Sequence, residues 1–226
     1  MHKCGLRHVL IISLAVACVV AIHQSMGQIR RPVRGGSAAS GVKGSEGDAS
    51  ENLKIQTLSQ SIQVRAPEYN IRNSEPSRKA RSPDWGRVRV VYDSKPEWMN
   101  TLSCRFYVLM LTKDKDAETP YSLLEGDVTY TDVGDGKDHM SEMYLHPRTI
   151  AKLGDIVAVA IEITYGTETV WKSDESPQAR LADGQWWKSQ EIRNSDQVTL
   201  RSGLLLNRGE TPFAYVNYWD FETIRR

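Results

Sequence analysis

The chain has 226 residues, of which 40% are hydrophobic and 25% charged, with a formal net charge of +1. That composition supports a packed core and excludes global disorder. The near balance of 29 basic and 28 acidic residues also argues against a strongly basic nucleic-acid binder, so no nucleic-acid partner is expected.

Residues 1–27 read as an export signal. Lys3, Arg7 and His8 form a basic start, and Val9 to Ile22 is apolar apart from Ser13. Ser25-Met26-Gly27 then offers small residues at a cleavage site. The apolar run is shorter than the roughly 20 residues that span a bilayer. An exported protein of the periplasm, cell surface or medium is therefore expected, with a membrane contact only if this segment is retained. Cleavage would remove Cys4 and Cys18 and leave Cys104 as the single cysteine. Such a chain has no internal disulfide, so its core must suffice.

Residues 28–83 read as a flexible basic tail, with ten basic against five acidic residues and Tyr69 as the single aromatic. Gly35 to Gly41 is a run of small residues, and Pro, Arg and Ser recur from Pro67 to Pro83. Leu53, Ile55, Leu58, Ile62 and Val64 form the one apolar cluster, a candidate docking strand or helix. Residues 84–226 hold all six tryptophans and carry 17 basic against 23 acidic residues. They are expected to form a single β-sandwich domain.

Within that domain Val88, Val90 and Tyr92 alternate with Arg87, Arg89 and Val91, the period of a half-buried strand. A second strand is expected from Leu102 to Leu111, with Cys104, Phe106, Val108 and Met110 on one face. Ser122 to Thr131 supplies Leu124, Val128 and Tyr130. Ile156 to Tyr165 is apolar on both faces and is expected to be central. Gly166-Thr167 turns the chain into Thr169 to Lys172, and Phe213, Tyr215, Asn217 and Trp219 suggest a last strand. The segment from His146 to Gly154 places proline near a first turn and glycine just past the end, the marks of one short crossover helix. Short strands at this spacing predict a mainly β fold, an immunoglobulin-like β-sandwich with one short crossover helix.

Catalytic signatures are missing. There is no Gly-x-Ser-x-Gly elbow, phosphate loop, His-Glu-x-x-His motif or paired-cysteine zinc spacing. His139 and His146 are expected in ordinary hydrogen bonds near a strand and a helix start, with no metal site. Cys104 shares its face with apolar residues and is expected to be a buried, inert thiol. Asp132 to Asp138 carries three carboxylates on glycine-bearing chain. It is expected to be a hairpin turn, with a calcium loop as the alternative. No cofactor is expected. Trp186 and Trp187 are the candidate ligand or partner contacts, because adjacent indoles on an extended segment point to opposite faces and would leave one exposed.

Three segments carry a family resemblance. They are Asp138 to Ala151 (DHMSEMYLHPRTIA), Trp186-Trp187, and Gly203 to Ala214 (GLLLNRGETPFA) together with Tyr218-Trp219-Asp220. Together they resemble a family of exported, pilus-like proteins of Verrucomicrobia, which implies an immunoglobulin-like fold and association with type IV pilus-type assembly genes. The chain departs from a type IV pilin start, since the fifth residue after Gly5 is Leu10 and residues 1–27 contain no acid. The resulting expectation is a non-enzymatic, exported structural or interaction protein with envelope or pilus-assembly proteins as partners. The alternative is a secreted carbohydrate-binding module that stacks a glycan on Trp186 or Trp187.

Overall fold

In a computed structural model of the chain, the structure describes residues 50–67, 83–176, 179, 181, 184–217 and 220–225. The expected signal segment and residues 28–49 of the expected tail lie outside the described residues. The chain divides into two units, Met1–Ala39 and Ser40–Arg226, and everything below concerns the second.

The strands are β1 (Leu53–Arg65), β2 (Asp84–Leu111), β3 (Tyr121–Leu145), β4 (Asp155–Tyr165), β5 (Glu168–Glu175), β6 (Val198–Ser202), β7 (Leu205–Asn207) and β8 (Thr223–Ile224). Among the described residues two α-helices accompany them, α1 (Pro147–Leu153) and α2 (Gln190–Arg193). All eight strands belong to one sheet in the order β5-β4-β2-β3-β6, with β1 on β2 and both β7 and β8 on β3.

The sheet becomes a sandwich by folding across its two longest strands. The first half of β2 pairs with β1 and with the second half of β3. The second half of β2 pairs with β4 and with the first half of β3. Layer one is thus β1, the start of β2, the end of β3 and β7; layer two is β5, β4, the end of β2, the start of β3, β6 and β8. Between them lies the main core, where Val88, Val90 and Tyr92 of layer one meet Cys104, Phe106, Val108, Ile161 and Ile163 of layer two. The mainly β sandwich is as expected, but its layers are joined by continuous strands.

Several boundaries differ from the sequence reading. The strands expected at 87–92 and 102–111 are one 28-residue strand. Asp132–Asp138 is neither a hairpin turn nor a loop, because it lies inside β3 where the sheet bends. The folded body also reaches back past residue 84: β1 pairs antiparallel with β2 from Leu53↔Ser94 to Arg65↔Asp84. Its apolar residues, which alternate along the strand, help close layer one. Residues 212–217 form turns rather than a strand, with Phe213 stacked on Tyr144 at 4.5 Å; Trp219 lies outside the described residues.

α1 is placed by local chemistry. His146 caps its start by accepting a hydrogen bond from the Arg148 N–H at 3.1 Å, and Pro147 occupies the first turn. Gly154 ends it at φ 90°, where a Cβ would come within 2.0 Å of the Leu111 carbonyl oxygen. The helix carries the chain from β3 to β4, the opposite neighbour of β2. β4 is buried on both faces as its pattern predicts. A bulge between Leu109↔Ala158 and Met110↔Ile156 leaves Val157 unpaired and turns it from the main core to the outer cluster.

Candidate functional site

Both outer faces of the sandwich are partly sealed by chain that returns from elsewhere. On layer two, Tyr107, Leu109, Leu123, Ala158 and Ala160 are covered by Trp186 and Trp187. The two indoles sit on a single 3-10 turn, Trp186–Lys188, rather than on extended chain. They are 1% and 0% exposed. Trp187 packs against Tyr107 at 5.8 Å and edge-on to Trp171 at 5.3 Å. The expected exposed indole is therefore absent: a turn does not alternate faces as a strand does, and both rings enter the outer cluster. A stacking platform on either of them has no open face.

On layer one, Glu142 is buried on the outer side beneath the C-terminal segment. It receives Arg89 at 2.6 Å, Arg87 and Arg208 at 3.5 Å, and the Tyr144 hydroxyl at 2.5 Å. Arg208 in turn lies 3.5 Å over the ring of Phe221. Burial and the Glu142 carboxylate push the Tyr144 hydroxyl upward from its ordinary range. This cluster fastens the C-terminal chain to the sheet.

Among the described residues two aromatics are well exposed, Tyr215 at 81% in the C-terminal turns and Trp98 on the sheet itself, at the bend. Ser94 pairs with Gly136 and Trp98 with Gly134, so β2 spends three residues, Lys95-Pro96-Glu97, where β3 spends only Asp135. Pro96 has no N–H to give the ladder and suits such a bulge. Asp132 and Asp138 take positive φ of 59° and 62°, which lets β3 follow the bend. Trp98 is left 59% exposed, opposite a glycine whose Cβ position faces open space. The sequence reading passed over it. The available signal was its setting, since Trp98 directly follows Pro96-Glu97, a proline and a charged residue that suit a bulge more than a regular buried strand.

The bend is held rigid from below. Ser94 donates to the Gly134 carbonyl at 2.8 Å and lies 3.0 Å from His139 Nε2, while His139 Nδ1 is 2.7 Å from Glu222. The His139 ring stacks on Tyr92 at 5.3 Å. The Asp138 N–H donates to Asp93 at 3.1 Å, which holds the Asp93 carboxyl below its usual range. Ser94, His139 and Glu222 follow the order of a hydrolytic relay. However, Ser94 is buried and spends its proton on a backbone carbonyl, so what the chain of bonds does is tie the C-terminal segment to the bend.

His139 and His146 both occupy ordinary hydrogen bonds, as expected. Among the described residues no group of three or more His, Cys, Asp or Glu side chains could hold a metal ion. Cys104 is fully buried, and burial pushes its thiol up to about 12. Among the described residues no helix is long and apolar enough to cross a membrane.

Comparison with known proteins agrees with this architecture. A crystal structure of a protein from Akkermansia muciniphila superposes with a TM-score of 0.62 at 20% sequence identity, covering 81% of this chain and 95% of that one. At that identity the likeness concerns the fold. No curated protein matches the chain. One protein-family model, defined by likeness to a type member, matches residues 45–226. That span begins just ahead of β1 and includes every strand and helix described above, and the chain belongs to that family.

Proposed function

We propose that this chain is a non-enzymatic structural protein of the cell envelope, exported and pilus-like or pilus-associated, that works by contact with other envelope or pilus-assembly proteins. The observation that carries this reading is Trp98. A large aromatic on a braced strand bend is the kind of residue that anchors protein interfaces, since it buries much area while losing little side-chain freedom. Family membership across residues 45–226 and the fold shared with the Akkermansia protein support it. The burial of Trp186 and Trp187 gives no support to a glycan platform at those residues.

The test is fractionation of the producing cell with wild type and Trp98→Ala. Recovery of the wild-type chain with sheared filaments or outer-membrane assemblies, and release of the variant into the soluble fraction, is the expected result. Soluble recovery of both proteins, with no envelope partner, would contradict the proposal.

A further inference from the structure

The outer face of layer two is only half covered. Beyond the tryptophan plug, pairing register sets Asp127, Arg105 and Glu162 side by side on β3, β2 and β4. The next row is Thr129, Ser103 and Thr164, extended by Thr169 on β5. Directly paired residues share a face, and adjacent strands stand about 4.8 Å apart, so these rows form a lattice of polar groups. Six of those side chains line a cleft of about 300 Å³. Trp171, opposite Glu162 and edge-on to Trp187, marks the border with the sealed half.

The chemistry of the cleft is mixed and close to neutral. Asp127 and Glu162 are balanced by Arg105 between them and by Lys188, which pairs with Glu162. The Tyr107 hydroxyl donates to Glu162 at 3.1 Å. Ser103 and Thr129 hydroxyls lie 3.3 Å apart, and those of Thr164 and Thr169 lie 3.0 Å apart. Each hydroxyl can both donate and accept, the carboxylates accept, and the guanidinium donates. A cation meets Arg105, an anion meets two carboxylates, and an apolar ligand would strip water from the remaining donor and acceptor sites of these groups without replacing its hydrogen bonds. A neutral ligand with several hydroxyls satisfies all of them.

We propose that this cleft binds a neutral sugar residue. The site is separate from the Trp98 bend and from the Trp186–Trp187 pair, and the inference goes beyond the structural role without depending on it. The test titrates the ¹⁵N-labelled full-length chain with methyl glucoside, methyl galactoside, methyl N-acetylglucosaminide and methyl fucoside. Spermidine and inorganic phosphate serve as charged comparisons. At least one glycoside should give saturable amide shifts centred on Arg105, Asp127 and Thr164. Arg105→Ala and Asp127→Asn should each weaken that binding by about tenfold or more. Thr129→Val, which keeps the shape and removes one hydroxyl, should weaken it less. All three positions are on the surface rows, so the unfolding midpoint should stay unchanged. Three results would overturn the proposal: no saturable shift with any glycoside, saturation undiminished in the first two variants, or saturation by spermidine or phosphate alone.

Discussion

The two halves of the outer face of layer two are built on the same central strands yet have opposite characters. Around Tyr107, Leu109 and Ala160 the face is apolar and sealed by Trp186 and Trp187. Two residues further along the same strands it is lined by Ser103, Arg105, Asp127 and Thr164 and stays open. The β2–β3 and β2–β4 ladders run through both halves, with a bulge at Met110 in the sealed one. What differs is whether the outward positions are apolar enough to recruit a returning segment, since burying bare hydroxyls and charges costs more than it returns without partners. An outer sheet face is therefore a choice between stability and access.

That contrast can be broken most severely from the sealed side. Trp187→Ala should lose about 3–5 kcal/mol of stability, because it leaves a large hole against Tyr107, Trp171 and Trp186; urea unfolding would measure it. Trp187→Phe should cost clearly less. The buried Trp187 indole N–H has no acceptor among the described residues, so removing it offsets part of the lost contact area. A comparable loss in both variants would show that the plug depends on indole shape.

The sealed face of layer one offers the next effect. Glu142→Gln removes the charge shared by Arg87, Arg89 and Arg208 and should cost about 3 kcal/mol. The same urea series checks it, and protease should cut the C-terminal segment faster in the variant. Gly154→Ala at the end of α1 should cost more than about 1 kcal/mol, since alanine disfavours the positive φ and its Cβ meets Leu111.

Alkaline pH separates core from surface without any mutation. Burial raises the Cys104 thiol from 9.0 to about 12. Burial and the neighbouring Glu162 raise the Tyr107 hydroxyl from 10.0 to about 12. In both cases the unfolded chain loses its proton first, so stability is fully present below pH 9 and falls as the pH climbs toward 12. Thermal unfolding between pH 7 and 11 would follow this, and thiol labelling should report Cys104 only on unfolding. On the open half the effects should be smallest: Arg105→Ala should alter stability by no more than about 0.5 kcal/mol.

Much of the sandwich was legible in the sequence. The alternation at Val88, Val90 and Tyr92, the two-faced run from Ile156 to Tyr165, and the proline and glycine bracketing α1 all report the burial that the structure realises. The joined layers were hidden because a strand bend uses the residues of a turn. Asp132 and Asp138, which take positive φ, and Gly134 and Gly136 between them serve a bulged bend as well as they would serve a hairpin. β1 was blurred by the basic and small residues on either side, although the apolar alternation from Leu53 to Val64 was visible. For the candidate site the sequence pointed to Trp186 and Trp187. An extended segment there would expose one ring of the pair, whereas the turn at 186–188 buries both. Trp98 owes its exposure to a bulge that pairing register alone defines.

The most direct test of the account places a photo-crosslinking amino acid at position 98 in the producing cell, with the same group at Thr199 as the comparison. Adducts with an identified envelope or pilus-assembly component at position 98, and none at position 199, are the predicted result. A chain that stays uncrosslinked at position 98 while being recovered as a soluble monomer would contradict the claim that this bend is where the protein meets its partners.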